Sequence, residues 1–238
     1  MFLAGQTAAA LFHPDGWWRG PPRRFSLQWG GSPAAGQDAL IHAAVSFQVS
    51  QGAAFAWDWA CAPRALAGWL GAATAVAAGL PKEIVDGFHG GFSGSDAAWG
   101  AAGAVLPALH RQWPATRAVT LKVWYRPSPE YLHKTGTDPS LPSDYAGQVY
   151  YLSVNPARGG SGPDWWPHWL GLAAGHSTTP WVTEWPGRHV WLAALDVEFR
   201  GLPVRLSWWP RVAAVLDQIH FPAPGIRLRD GHVAVGVF

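Results

Sequence analysis

Cysteine, methionine and asparagine are almost missing from this sequence: Cys61, Met1 and Asn155 are the single copies of each. One thiol excludes an intramolecular disulfide and any cysteine-built zinc cluster. Cys61 lies in the apolar run Trp59-Ala60-Cys61-Ala62-Pro63 and reads as a small core residue. Charge is scarce as well. Charged residues make up 13% of the chain and sum to +2, so the whole-molecule field is too weak to recruit phosphate polymers without a local patch. Long apolar runs are also lacking, none reaching the roughly 18 to 20 residues that a membrane-spanning helix needs. The first residues, Met1 to Leu11, have no basic start and are followed at once by His13, Pro14 and Asp15, a poor secretory signal. These absences predict a cytoplasmic protein without zinc, disulfide or membrane contact.

What is present is bulk. The chain has 238 residues, 49% hydrophobic, with 17 tryptophans, 28 glycines and 21 prolines, enough apolar surface to offset the entropy of ordering. The tryptophans must be buried or must cover a partner, because large exposed apolar patches associate.

Patterning predicts an α+β fold, with mixed or antiparallel sheets flanked by helices in two lobes, 1–117 and 118–238. The second lobe can take an RRM-like form. A strand is expected at 25–29 and another at 39–51, where Val45, Phe47 and Val49 alternate with Ser46, Gln48 and Ser50. Residues 55–59 extend it. A helix is expected over 63–78, stopped by Gly79 and Pro81, then a glycine-rich loop over 86–100 that lacks the Lys-Ser or Lys-Thr pair of a phosphate-binding loop. A helix over 101–112, a strand over 118–126 and a long loop over 127–147 follow. The strand 148–154 leads to a turn carrying Arg158, then a short helix over 164–174 whose Trp165, Trp166 and Trp169 read as packing anchors. The last block is a strand over 189–200, a helix over 209–219 and a hairpin turned at Asp230 and Gly231.

Chemistry points first to Asp196 and Glu198 in Val190-Trp-Leu-Ala-Ala-Leu-Asp196-Val-Glu198-Phe199. On a strand, positions i and i+2 share a face, so both carboxylates emerge side by side. Two carboxylates that close repel unless a cation lies between them, the arrangement that holds Mg²⁺ or Mn²⁺ against substrate phosphates. The alternative is a polar strand face solvated beside Arg200. The histidines at 110, 168, 176, 189 and 220 lack the H-x-x-x-H spacing of a zinc helix, and Lys122 and Lys134 stand alone. Ser153, Ser161 and Ser177 lack a nucleophile elbow.

The segment from Thr183 to Phe199 resembles the first catalytic motif of the archaeo-eukaryotic primase superfamily, in particular its primase-polymerases, where an apolar strand ends in Asp-x-Glu. The resemblance covers about 148–238. It implies metal-dependent nucleotidyl transfer, with Asp196 and Glu198 as catalytic metal ligands and His232, after the helix and on the hairpin, contacting the nucleotide's phosphates. Arg227, Arg229 and Arg158 would bind the substrate. The family's third carboxylate has no counterpart beyond His232, so a degenerate relative fits equally. The competing reading is a non-enzymatic subunit of a virion or of a defence assembly such as a CRISPR-type ribonucleoprotein, using its tryptophans as interaction surface. A ferredoxin-like RNA-binding module, with stacking aromatics, is a third. Expected partners are a nucleotide or nucleic acid in the first and third cases and other proteins in the second.

Overall fold

A computed structural model describes residues 21–30, 34–133, 144–160, 162–180 and 184–238. Most of the irregular lead-in with Arg19 and the first Trp-Trp pair, together with Lys134 and the middle of the 127–147 loop, Ser161 and Thr183, lies outside the described residues. The chain divides into two compact units, one made of Met1–Gly31 with Asp38–Arg111, the other of Ser32–Gln37 with Gln112–Phe238. The fold is mixed α+β.

The first unit is helical. Short strands β1 (Leu27–Gln28) and β2 (Phe92–Ser93) pair in parallel beside three long helices, α1 (Gln37–Trp59), α2 (Arg64–His89) and α3 (Gly94–Gln112). The expected strands at 39–51 and 55–59 are therefore wrong. Within α1 the buried residues are Ala43, Phe47, Ser50 and Ala54, a spacing of about one helical turn that outweighs the short alternation of Val45, Phe47 and Val49. Helix α2 runs straight through Gly79 and Pro81. Likewise α3 begins at Gly94, inside the stretch expected to be a loop, and Ser93 Oγ accepts from the Asp96 amide at 3.3 Å to start it. Small residues allow these helices to approach closely: a Cβ at Gly71 would meet Ser50 O at 2.5 Å and Ala54 Cβ at 2.8 Å, and one at Gly103 would strike the Ala43 backbone. Ser50 Oγ bridges onward to Ala104 O at 2.7 Å. Among the described residues no helix is long and apolar enough to cross a membrane. Cys61 is exposed, with φ at 62°, just past the end of α1, rather than in the core.

The second unit is an antiparallel meander. Strands β3 (Val119–Tyr125), β4 (Gln148–Val154), β5 (Leu170–Thr178), β6 (His189–Val197), β7 (Pro224–Arg229) and β8 (His232–Val237) pair in that order in one 6-stranded sheet, with α4 (Pro129–His133) and α5 (Trp209–Leu216) in the connections. The hairpin turn is as expected, with Asp230 and Gly231 at φ of 52° and 78°. The expected helix over 164–174 gives way to β5, whose glycines accept large neighbours: a Cβ at Gly175 would lie in the Tyr151 ring. Trp165 and Trp169 stand exposed rather than acting as packing anchors.

The sheet's two faces differ in kind. One carries Lys122, Tyr151, Ser153, Ala173, Leu192, Ala194 and Asp196, all buried. Its free edge is closed where Ile219 pairs with Val123, His220 N donating to Val123 O at 3.0 Å. The other face is aliphatic, and Leu152, Leu172, Leu195 and Ile226 are exposed on it.

Candidate functional site

Strand alternation puts Asp196 and Glu198 on one side, as the sequence predicts, but neither meets solvent: Asp196 is 0% and Glu198 1% exposed. The cation between them belongs to the chain. Lys122 Nζ lies 2.7 Å from Asp196 Oδ2 and 3.2 Å from Glu198 Oε1, and donates to Val197 O at 2.9 Å. Register delivers it, because β3 and β4 pair Lys122 with Tyr151, two residues before the Ser153 whose hydroxyl also donates to Asp196. His220 Nδ1 sits 2.9 Å from Asp196 Oδ1, and its ring stacks on Tyr151 at 3.8 Å between centroids. Arg158 Nη1 closes the network on Glu198 Oε2 at 2.7 Å.

The environments split the two carboxyls. Burial pushes Asp196 up, but the His220 hydrogen bond and the Lys122 ammonium outweigh it and hold Asp196 below the usual carboxylate range. Burial wins at Glu198, helped by the Asp217 charge and opposed by Arg158 and Lys122, and that carboxyl is raised. Burial and the neighbouring Asp196 charge also raise Tyr151, whose hydroxyl has no hydrogen-bond partner among the described residues.

Of the expected substrate groups only Arg158 joins this cluster. Arg227 and Arg229 pair with Leu192 and Val190 on β6, and His232 pairs with Arg229. At strand rise, His232 therefore lies roughly 20 Å along the sheet from Asp196. Arg229 is held by Glu184 at 3.2 Å and Asp230 at 3.3 Å, and the Arg227 guanidinium lies over the Phe238 ring at 5.3 Å. His232 is exposed. The solvated alternative also fails, since Arg200 pairs with Asp217 at 2.9 Å instead. A divalent ion between Asp196 and Glu198 would have to displace Lys122.

A second cluster, in the helical unit, is the one sequence reading missed. Asp38 and His42 sit one turn apart on α1, and Asp96 enters from the first turn of α3. One ligand atom from each of Asp38, His42 and Asp96 falls within 4.8 Å of the others. Glu83 of α2, 3% exposed, brings Oε1 to 3.5 Å from His42 Nε2. Asp38, Glu83 and Asp96 open into a polar cavity of about 210 Å³ that Gln28, Lys82, Asp86 and the Gly90–Gly91 backbone also line. Burial, then the charges of Asp38 and Glu83, raise Asp96, against a lowering by His42 and Ser93. Lys82 is raised, since Asp86 at 2.7 Å and Glu83 at 3.2 Å outweigh its burial. The missed signal was D-x-x-x-H at 38–42. Read as a strand, that spacing separates the two side chains by about 13 Å, whereas a helix brings them together.

A third polar chain crosses the sheet's aliphatic face. Gln37 Nε2 donates to Gln148 O at 2.9 Å, which turns its Oε1 toward His176 Nδ1 at 2.8 Å, and His176 Nε2 meets His189 Nδ1 at 2.9 Å. Because Gln37 Oε1 can only accept, Nδ1 of His176 carries the proton and Nε2 accepts from His189. Burial and the His189 charge lower His176 to about 4.

Replacing Lys122 with Met leaves Asp196 and Glu198 buried without their cation and should cost about 3–5 kcal/mol. Urea denaturation followed by tryptophan fluorescence measures this, and an unchanged midpoint contradicts the network. For His176 the folded value lies below the unfolded one, so between pH 6.5 and 4 the unfolded chain binds the extra proton. Stability from this group is fully present above pH 6.5 and falls as pH drops toward 4, by about 2 kcal/mol from pH 7 to 5. His176→Gln should remove that share of the acid sensitivity. No family model, curated protein or solved structure matches the chain, and the reading of these clusters rests on their geometry.

Proposed function

We propose that the helical unit binds a divalent cation through Asp38, His42 and Asp96, with Glu83 beside them, and that the protein handles a phosphate-bearing ligand such as a nucleotide through that cation. The convergence of one imidazole and two carboxylates from α1 and α3 within 4.8 Å carries the reading. Such a mixed oxygen and nitrogen donor set suits Mn²⁺ or Zn²⁺ better than a hydrated Mg²⁺. A cation there would supply Lewis acidity toward a phosphoryl oxygen.

The electrostatics support this. Asp38, Glu83 and Asp96 crowd like charges around a half-buried histidine, and Asp96 is raised by its burial first and then by the Asp38 charge, a repulsion that a divalent ion relieves. The cavity leaves room for ligand beside the cluster. The chain's own groups then have distinct parts: Glu83, 3.5 Å from the same His42 Nε2 that faces Asp38, stands as a further oxygen donor, Ser93 fixes the α3 start that aims Asp96, and Lys82 tethers Glu83 and Asp86 at the cavity wall. The nucleotidyl-transfer reading keeps its need for a metal but finds better support for it here than beside Lys122.

Isothermal titration with Mn²⁺ at pH 7.5 should give one site per chain. His42→Ala and Asp96→Asn should each weaken it at least about ten-fold, while His232→Ala, on the hairpin of the other unit, leaves it unchanged. Nucleoside triphosphate should bind only with the metal present. Absence of Mn²⁺ and Zn²⁺ binding to the folded wild-type protein overturns the proposal.

A further inference from the structure

We infer that the aliphatic face of the six-stranded sheet is a homodimer interface, each copy packing this face against the same face of a second copy. The inference is independent of the cation reading. Strand pairing aligns the outward side chains into rows across the sheet, among them Leu172 with Leu195, Ile226 with Val235, and Trp191 with Leu228 and Val233. These are not the half-covered residues of a working surface: Leu172 and Trp191 are each 52% exposed, Val233 66% and Val235 84%. The buried ions are on the opposite side, where Lys122, Asp196 and Glu198 lie, and the polar chain of His176 and His189 is confined to one end of the aliphatic face. A soluble antiparallel sheet ordinarily shows water its polar face and packs its aliphatic one. This sheet does the reverse.

Area and charge both select a second copy as the occupant. The exposed aliphatic side chains on β4 to β8 offer on the order of 900 Å² per chain, so a face-to-face pair would bury about 1,800 Å², inside the range of stable specific interfaces. The outward positions of these strands carry no Lys, Arg, Asp or Glu. A two-fold axis brings each patch onto itself, so any net charge in it would repel its own image, and an uncharged patch meets no such penalty. An uncharged face also gives no electrostatic handle for choosing a different partner. Two twisted sheets stack as an aligned sandwich with side chains interdigitating about 10 Å apart. Branched aliphatics in rows aligned by strand register suit that packing.

Analytical ultracentrifugation of the full chain at micromolar concentration should give twice the 25.6-kDa chain mass. Added salt should leave the dimer intact or tighten it, since apolar burial and not ion pairing holds it. Val235→Arg, at a position 84% exposed and so tolerant of substitution, and Leu172→Arg, nearer the middle of the face, should each weaken association about a hundred-fold while circular dichroism stays unchanged. Arg227→Ala, on the other face, should not. A wild-type monomer across this range, a dimer that salt dissociates, or a dimer indifferent to both arginine substitutions overturns the inference. A monomer that co-purifies with an unrelated protein on this face overturns it as well.

Discussion

The second unit depends on one ammonium group. Lys122 reaches from β3 to hold Asp196 and Glu198, and through them Ser153, His220 and Arg158, so β3, β4, β6, the turn after β4 and the segment after α5 share one ionic centre. Ions this deep are costly to desolvate, and pairing repays the cost only when every charge has its partner. That requirement makes register unforgiving: a one-residue slip of β3 would turn Lys122 to the aliphatic face and leave both carboxylates unpaired. The glycines of β5 follow from the same constraint, since the Tyr151 ring that stacks on His220 occupies the space a side chain at 175 would need.

In the first unit the organising constraint is close approach. Gly71 and Gly103 let α1 meet α2 and α3 nearly backbone to backbone, which sets the helix ends near one another, gathers Asp38, His42 and Asp96 and places Asp38, Glu83 and Asp96 around one cavity. Small residues on the helices thus do work that a larger side chain would undo. They bring titratable groups from distant sequence positions within ligand distance of each other, without a disulfide or a large aromatic core.

Much of the second unit was legible. The strand 148–154 and the hairpin at Asp230-Gly231 follow from local alternation and turn chemistry, signals contained in a few residues. The demand for a cation between Asp196 and Glu198 was also sound electrostatics; its identity was hidden because Lys122 lies more than seventy residues away and arrives only through strand register. Alternation misled at 45–49 because α1 buries Phe47 with Ala43, Ser50 and Ala54, small residues that a hydrophobic pattern does not flag. That error concealed Asp38 and His42 as a pair. The strand β5 was lost for the related reason that Gly171, Ala173, Ala174 and Gly175 have little propensity of their own and are strand because of what their neighbours place over them.

Lys122 is a fixed cation in the sheet, and the exchangeable cation proposed above would sit in the helical unit. Crystals of the protein soaked in Mn²⁺ and measured at the manganese absorption edge test that division directly. The account predicts an anomalous peak among Asp38, His42 and Asp96 and none between Asp196 and Glu198. A peak between Asp196 and Glu198 with Lys122 displaced, or no peak at either cluster, contradicts it.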